Sequence, residues 1–205
     1  MVSPRDEICP RFSFNPKGGQ DRQGSFVIAA DNREGLAGFW TKIFPVKGGQ
    51  HYRFSAVRKT ERVSSPRRSV LARVIWHDDK GQNVTRDEPA ATRFMEGKAF
   101  RSEPEFPMDK GADRNGWTEV SDVYRAPSKA TRAVVELHLR WTEPRGKVEW
   151  SNVALTETTP PAGRKIRLAT VHHRPRDGKT PAEKREQFAK FIEEAARQKA
   201  DLVVL

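Results

Sequence analysis

Cysteine is nearly absent from this sequence: Cys9 is the only one in 205 residues. That excludes an intrachain disulfide framework and a cysteine-rich zinc site. Cys9 lies in a leader punctuated by Pro4, Pro10 and Pro16. This is not the structured, electropositive setting that activates a thiol, so it reads as unreactive. Long apolar runs are also missing. No stretch approaches the roughly 18 apolar residues of a membrane-spanning helix. The N-terminus, Met1 to Glu7, has no apolar signal core. The compartment stays open: cytoplasmic, or exported if a leader has been removed. No phosphate-cradling glycine loop occurs, since Lys17-Gly-Gly and Lys47-Gly-Gly read as turns. No cofactor is expected.

Acidic residues are the minority charge, 27 against 38 basic, for a net +11. A basic surface favours anionic partners in general. Here the basic residues are scattered. The densest cluster, Arg67-Arg68 with Arg58, Lys59 and Arg62, surrounds a Ser-Ser-Pro turn and lacks the interleaved aromatics of a single-strand binder. A solvated basic surface is the preferred reading, and no specific nucleic acid is expected. Five Trp and eleven Phe are enough to anchor a core despite 32% charged residues.

What is present is a period of two. Tyr52, Phe54 and Ala56 alternate with Arg53 and Ser55 in His51–Thr60. Val70, Ala72, Val74 and Trp76 share a side in Ser69–Asp78. In Ala130–Trp141, Val135, Leu137, Leu139 and Trp141 oppose Glu136, His138 and Arg140. Ser25–Ala30 and Phe39–Val46 are further strand candidates. Alternation of this kind predicts sheets with one buried face. In Lys147–Glu157 the parity changes between Trp150 and Val153, which predicts a β-bulge near Ser151-Asn152. Asp79–Gly116 is a long charged, Pro- and Gly-containing stretch, expected to be an irregular loop. The fold class is mainly β: an irregular leader (1–17), then an antiparallel, jelly-roll-like β-sandwich (18–157).

Thr158-Thr-Pro-Pro-Ala-Gly163 reads as a stiff linker. Beyond it (164–205) the pattern is β-α-β: a strand over Lys165–His172, a capping box Thr180-Pro-Ala-Glu183, and a helix stripe of Phe188, Phe191, Ile192, Ala195, Ala196 and Lys199. The apolar run Leu202–Leu205 closes it. So small a unit cannot bury its own apolar faces, so more chain is expected after Leu205, and this segment is expected to be the incomplete start of an α/β domain.

The segment Ile166–His172, the helix ending Glu194-Ala-Ala-Arg-Gln-Lys-Ala-Asp201 and the strand Leu202–Leu205 resemble the opening of the nitrilase, or carbon–nitrogen hydrolase, superfamily. That resemblance implies an α-β-β-α hydrolase domain acting on a non-peptide amide or nitrile through a Glu, a Lys and a Cys. All three would lie beyond Leu205, so no residue here is catalytic and the chain alone is expected to be inactive. The resemblance leaves homo-oligomerisation of an intact protein open. Trp40–Tyr52, Trp117–Pro127 and Gly146–Leu155 resemble galactose-binding-like carbohydrate-binding modules. That resemblance implies the alternative function, a non-catalytic module with a carbohydrate or other polymer as ligand. Many such modules hold calcium through a carboxylate in the last strand. Here Ser151-Asn152 stands in its place, and no metal is expected.

Tryptophans can stack on sugar rings. Trp76, Trp141 and Trp150 share parity with core positions and are assigned to the core. Trp117 and Trp40 are the ligand candidates. Asp78, Asp79, Asp109 and Asp113 lack the spacing of a calcium loop. His172 and His173, adjacent on a strand, point to opposite faces and cannot easily share an ion.

Overall fold

The computed structural model describes residues 1–88, 100–163 and 165–205. Part of the expected long loop, 89–99, lies outside them. The chain is mainly β and divides into two compact units, Met1–Pro160 and Pro161–Leu205.

Among the described residues the first unit has nine strands. They are β1 (Arg11–Asn15), β2 (Ser25–Ala29), β3 (Ala37–Pro45), β4 (His51–Glu61), β5 (Ala72–His77), β6 (Met108–Ala112), β7 (Thr118–Arg125), β8 (Arg132–Arg140) and β9 (Lys147–Thr158). One sheet runs β1-β2-β9-β4-β7-β6 and the other β3-β8-β5. All their pairings are antiparallel. A short helix, α1 (Pro66–Ser69), joins β4 to β5.

Period two decides what is buried. Tyr52, Phe54, Ala56, Val148 and Trp150 of the larger sheet meet Val74, Trp76, Ala133, Val135, Leu137 and Leu139 of the smaller one in a single core. Trp76 and Trp150 are fully buried, as their parity predicts. Trp141 corrects the same rule. β8 stops at Arg140, Trp141 takes φ +50°, and its indole is 57% exposed. One left-handed residue reverses the side-chain direction that parity assigns.

The bulge predicted near Ser151-Asn152 is present. Ser55 pairs with Ala154 but Val57 pairs with Ser151, so β9 carries one extra residue there. Asn152 sits at φ +53°, a region asparagine tolerates better than most residues.

Two expectations need correction. The leader is not irregular. Val2 bridges Phe39, Asp6–Ile8 form one 3-10 turn, and β1 pairs along the whole of β2. Pro10 and Pro16 flank a strand only five residues long, which hid its Phe12/Phe14 alternation. The stretch after Asp79 also holds order. Asn83, Thr85 and Glu105 form bridges, and β6 lines the outer edge of β7. Met-Asp-Lys-Gly-Ala has little strand propensity. Pairing with β7, not local preference, makes it a strand.

The second unit contains β10 (Leu168–Thr170) parallel to β11 (Leu202–Val204), with α2 (Pro181–Arg197) between them in sequence. The capping box is formed. Glu183 N–H donates to Thr180 Oγ1, and the Glu183 carboxylate accepts from the Thr180 amide, each at 3.2 Å. His173 rests against Phe188 and Phe191, while His172 is exposed. Leu168, Ile192, Leu202, Val204 and Leu205 are all exposed. Among the described residues no helix is long and apolar enough to cross a membrane.

Candidate functional site

The outer face of the larger sheet carries a cleft of about 450 Å³. Its floor is Ser55 and Val57 of β4 with Glu119 of β7, which point away from the core. Its walls are Gln20, the β6 residues Lys110–Ala112, Asp113, Trp117 and Asn152.

Each wall has a local cause. Trp117 is fixed by a tight turn from β6 to β7. Asp113 Oδ1 accepts from the Asn115 amide at 2.8 Å and the Trp117 amide at 2.9 Å, the way aspartate closes a turn on its own backbone. Gly116 supplies φ +80°. Gln20 arrives on the loop between β1 and β2, which folds over the sheet. Gly24 N–H donates to Gly18 O at 2.9 Å, and Ser151 Oγ donates to Gly24 O at 3.1 Å. Gly19 makes this approach possible: a Cβ there would lie 2.5 Å from Ser151 Oγ. Gln20 Nε2 then donates to Asp113 Oδ2 at 2.9 Å and ties the two walls together. That bond, then the Trp117 amide, hold the Asp113 carboxyl below its ordinary range. On the bulge, Asn152 is placed to donate its amide nitrogen to Asp21 at 3.1 Å.

The cleft therefore offers hydroxyl, amide, ammonium and carboxylate groups around one indole. Trp117 is 8% exposed, so it presents a rim and not an open ring face. The arrangement suits multiple hydrogen bonds to a neutral polar ligand. Among the described residues no cluster of three or more His, Cys, Asp or Glu could hold a metal ion. Three of the four aspartates considered above are committed elsewhere: Asp109 to Arg58, Asp113 to its turn, Asp78 to the amides of Lys80 and Gln82.

Trp40, the other tryptophan picked out from the sequence, is not brought to this cleft. It lines an apolar pocket of about 330 Å³ with Met1, Phe26, Val135, Leu137 and Val153. Phe12 meets its ring edge-on at 5.5 Å and Phe26 is tilted against it at 5.2 Å. Its Nε1 donates to Val27 O at 3.3 Å. These contacts make Trp40 part of the packing between β2 and β3. Gln20, Ser55, Lys110 and Asn152 were not foreseen. They meet only because a loop, an edge strand and a bulge converge, and none has a sequence signature.

No protein-family model matches the chain, and no curated protein matches it in sequence. Several solved structures are similar in outline. The enzymatically active domain of tailspike protein 4 of bacteriophage CBA120 aligns at TM-score 0.49 and 13% identity, over 77% of this chain and 18% of the tailspike chain. A family 16 carbohydrate-binding module aligns at TM-score 0.47 and 11% identity, over 72% of this chain and 86% of the module. The N-terminal CBM22-1–GH10 modules of xylanase 10B of Clostridium thermocellum align at TM-score 0.45 and 15% identity, over 78% of this chain and 28% of that one. At these values the likeness carries no ligand across to this chain. The comparisons lend no support to the nitrilase resemblance of Lys165–Leu205.

Proposed function

We propose that the Met1–Pro160 unit is a non-catalytic carbohydrate-binding module, with the Trp117 cleft as the site for a neutral stretch of polysaccharide. One observation carries this: an indole rim set among Ser55, Gln20, Lys110 and Glu119 on the outer face of the larger sheet. A sugar ring combines an apolar face with a ring of hydroxyls, and that pairing of surfaces is its complement. A thiol acyl-transfer reading has no carrier among the described residues. Cys9 makes one weak bond, to Pro10 O at 3.4 Å, with no base paired to it.

The test is binding to a panel of neutral polysaccharides (xylan, mixed-linkage glucan, mannan) by affinity electrophoresis, followed by calorimetry with the matching oligosaccharides. At least one should bind, and Trp117→Ala and Gln20→Ala should each weaken it about tenfold, or about 1.4 kcal/mol. Binding that survives both substitutions moves the site elsewhere. Release of product from a simple amide by the purified chain would refute the non-catalytic reading.

A further inference from the structure

Another pocket, of about 300 Å³, shares β6 with the Trp117 cleft: Met108 and Asp109 line it, where Lys110–Ala112 line the cleft. Arg58, Arg67, Leu71, Phe106, Met108 and Arg140 are among its walls. Its charge is unbalanced. Arg58 is paired with Asp109 at 2.7 Å, but among the described residues Arg67, Arg68 and Arg140 form no ion pair. The cations also crowd one another. Burial and the nearby Arg73 hold Arg140 below the usual arginine range, and Arg67 adds to the depression that burial imposes on Arg58.

The rim is apolar and uncovered. Phe106 is 50% and Met108 45% exposed, and an Arg67 guanidinium nitrogen lies 3.9 Å from Met108 Sδ. Trp141 lies beside the pocket and not in its wall: the guanidinium of Arg140, which lines it, sits 4.5 Å from the indole centroid. Trp141 holds φ +50° while its side chain stands in solvent. A bulky residue is disfavoured in that left-handed region, and burial does not offset the cost. Such strain points to function.

We propose that the Arg67–Arg140 pocket binds the anionic groups, carboxylate or sulfate, of an acidic polysaccharide. Arg67 and Arg140 clamp the anion, and Trp141 and Phe106 receive the apolar face of the sugar. Guanidinium forks match planar carboxylates, and indole faces take both sugars and cations. A volume of about 300 Å³ has room for a single charged sugar and not for a length of nucleic-acid backbone. This inference rests on the module reading above and extends it to a second, charged subsite.

The experiment compares polygalacturonate, its fully methyl-esterified form, dextran sulfate and single-stranded DNA as ligands of the full chain. Near-UV circular dichroism checks the fold of each variant. Polygalacturonate or dextran sulfate should bind, and the stronger of the two identifies the anion. The double variant Arg67→Gln/Arg140→Gln should weaken that binding by about tenfold or more. Trp141→Gly should weaken it severalfold while raising thermal stability, because it removes the indole and relieves the strained φ together. Methyl esterification should abolish the dependence on the two arginines. Anionic binding unchanged in either variant overturns the proposal. So does DNA binding as tight as the polysaccharide with the same loss in the double variant. If neutral polysaccharide binds through Trp117 but no anionic one binds, the pocket proposal falls and the module reading stands. If none binds, both fall.

Discussion

Asp109→Ala tests whether the buried cation Arg58 depends on its one carboxylate. Arg58 is 4% exposed. It donates to Asp109 at 2.7 Å and to Val70 O at 2.6 Å, with Trp150 at 6.0 Å from its charge. Burial already presses its proton affinity down, and Asp109 opposes that. Removing the carboxylate leaves a charge in a poorly hydrated site. Breaking a buried pair from one side costs about 3–5 kcal/mol. Asp109 is itself 28% exposed, so water recovers part of that, and the low end, about 3 kcal/mol, is expected. For a unit of this size that is roughly 6–12 °C in Tm. Arg58→Met/Asp109→Ala removes both charges and should recover most of the loss, short of about 1 kcal/mol for the Val70 carbonyl. All five tryptophans lie in the Met1–Pro160 unit, so tryptophan fluorescence in urea follows this unit alone. A cost under about 1 kcal/mol for Asp109→Ala, or a double variant no more stable than Asp109→Ala, would show that Arg58 does not depend on this carboxylate.

Three further outcomes follow from the same geometry. His138 is buried on β8, hydrogen-bonded to Glu136 at 2.8 Å and stacked on Phe39, and burial lowers its proton affinity below the ordinary 6.5. The unfolded chain then binds more protons just below pH 6.5. Stability should hold above that value and fall by up to about 1.4 kcal/mol per pH unit below it. Burial raises the Glu136 carboxyl, but the His138 and Arg73 hydrogen bonds bring it below 4.5 overall, so a second loss should begin as pH falls past that value. Urea melts from pH 4 to 8 should show His138→Gln flattening the first step and shrinking the second, because it removes one of the hydrogen bonds that lower Glu136. Trp150 is fully buried and its Nε1 has no partner among the described residues. Trp150→Phe should therefore cost under about 1.5 kcal/mol, against about 3–5 for Trp150→Ala, by the same melts. Thr180→Ala removes the cap of α2 and should cost about 1 kcal/mol of helix stability, read at 222 nm.

Strands with one wet face were legible because alternation records burial directly: β4, β5, β8 and β9 fall where their parity places them, and the phase change at Asn152 marks a real bulge. What failed was what pairing or a single dihedral decides. β6 is polar and glycine-bearing and exists because β7 offers an edge. Trp141 carries a core residue's parity and an exposed side chain, since parity assumes that extended backbone continues through it. Arg58 has the same parity as Phe54 and Ala56 and lies inside with them. A sequence cannot announce a buried cation unless its counter-ion is known, and Asp109 sits 51 residues away. Of the cleft, Trp117 could be picked out and its polar companions could not. The exposed aromatic with the most unusual backbone, Trp141, was hidden by the rule that worked elsewhere.

The first fifteen residues touch both layers: Val2 lies along β3 of one sheet, and β1 closes β2 of the other. They act as a strap across the open side of the sandwich. A version of the protein trimmed to begin at Gly18 would keep nearly every core side chain yet bare the peptide groups of β2 and loosen one layer from the other. Bared strand edges recruit other chains, so that shortened protein should come out of the cell as aggregate, however sound its interior.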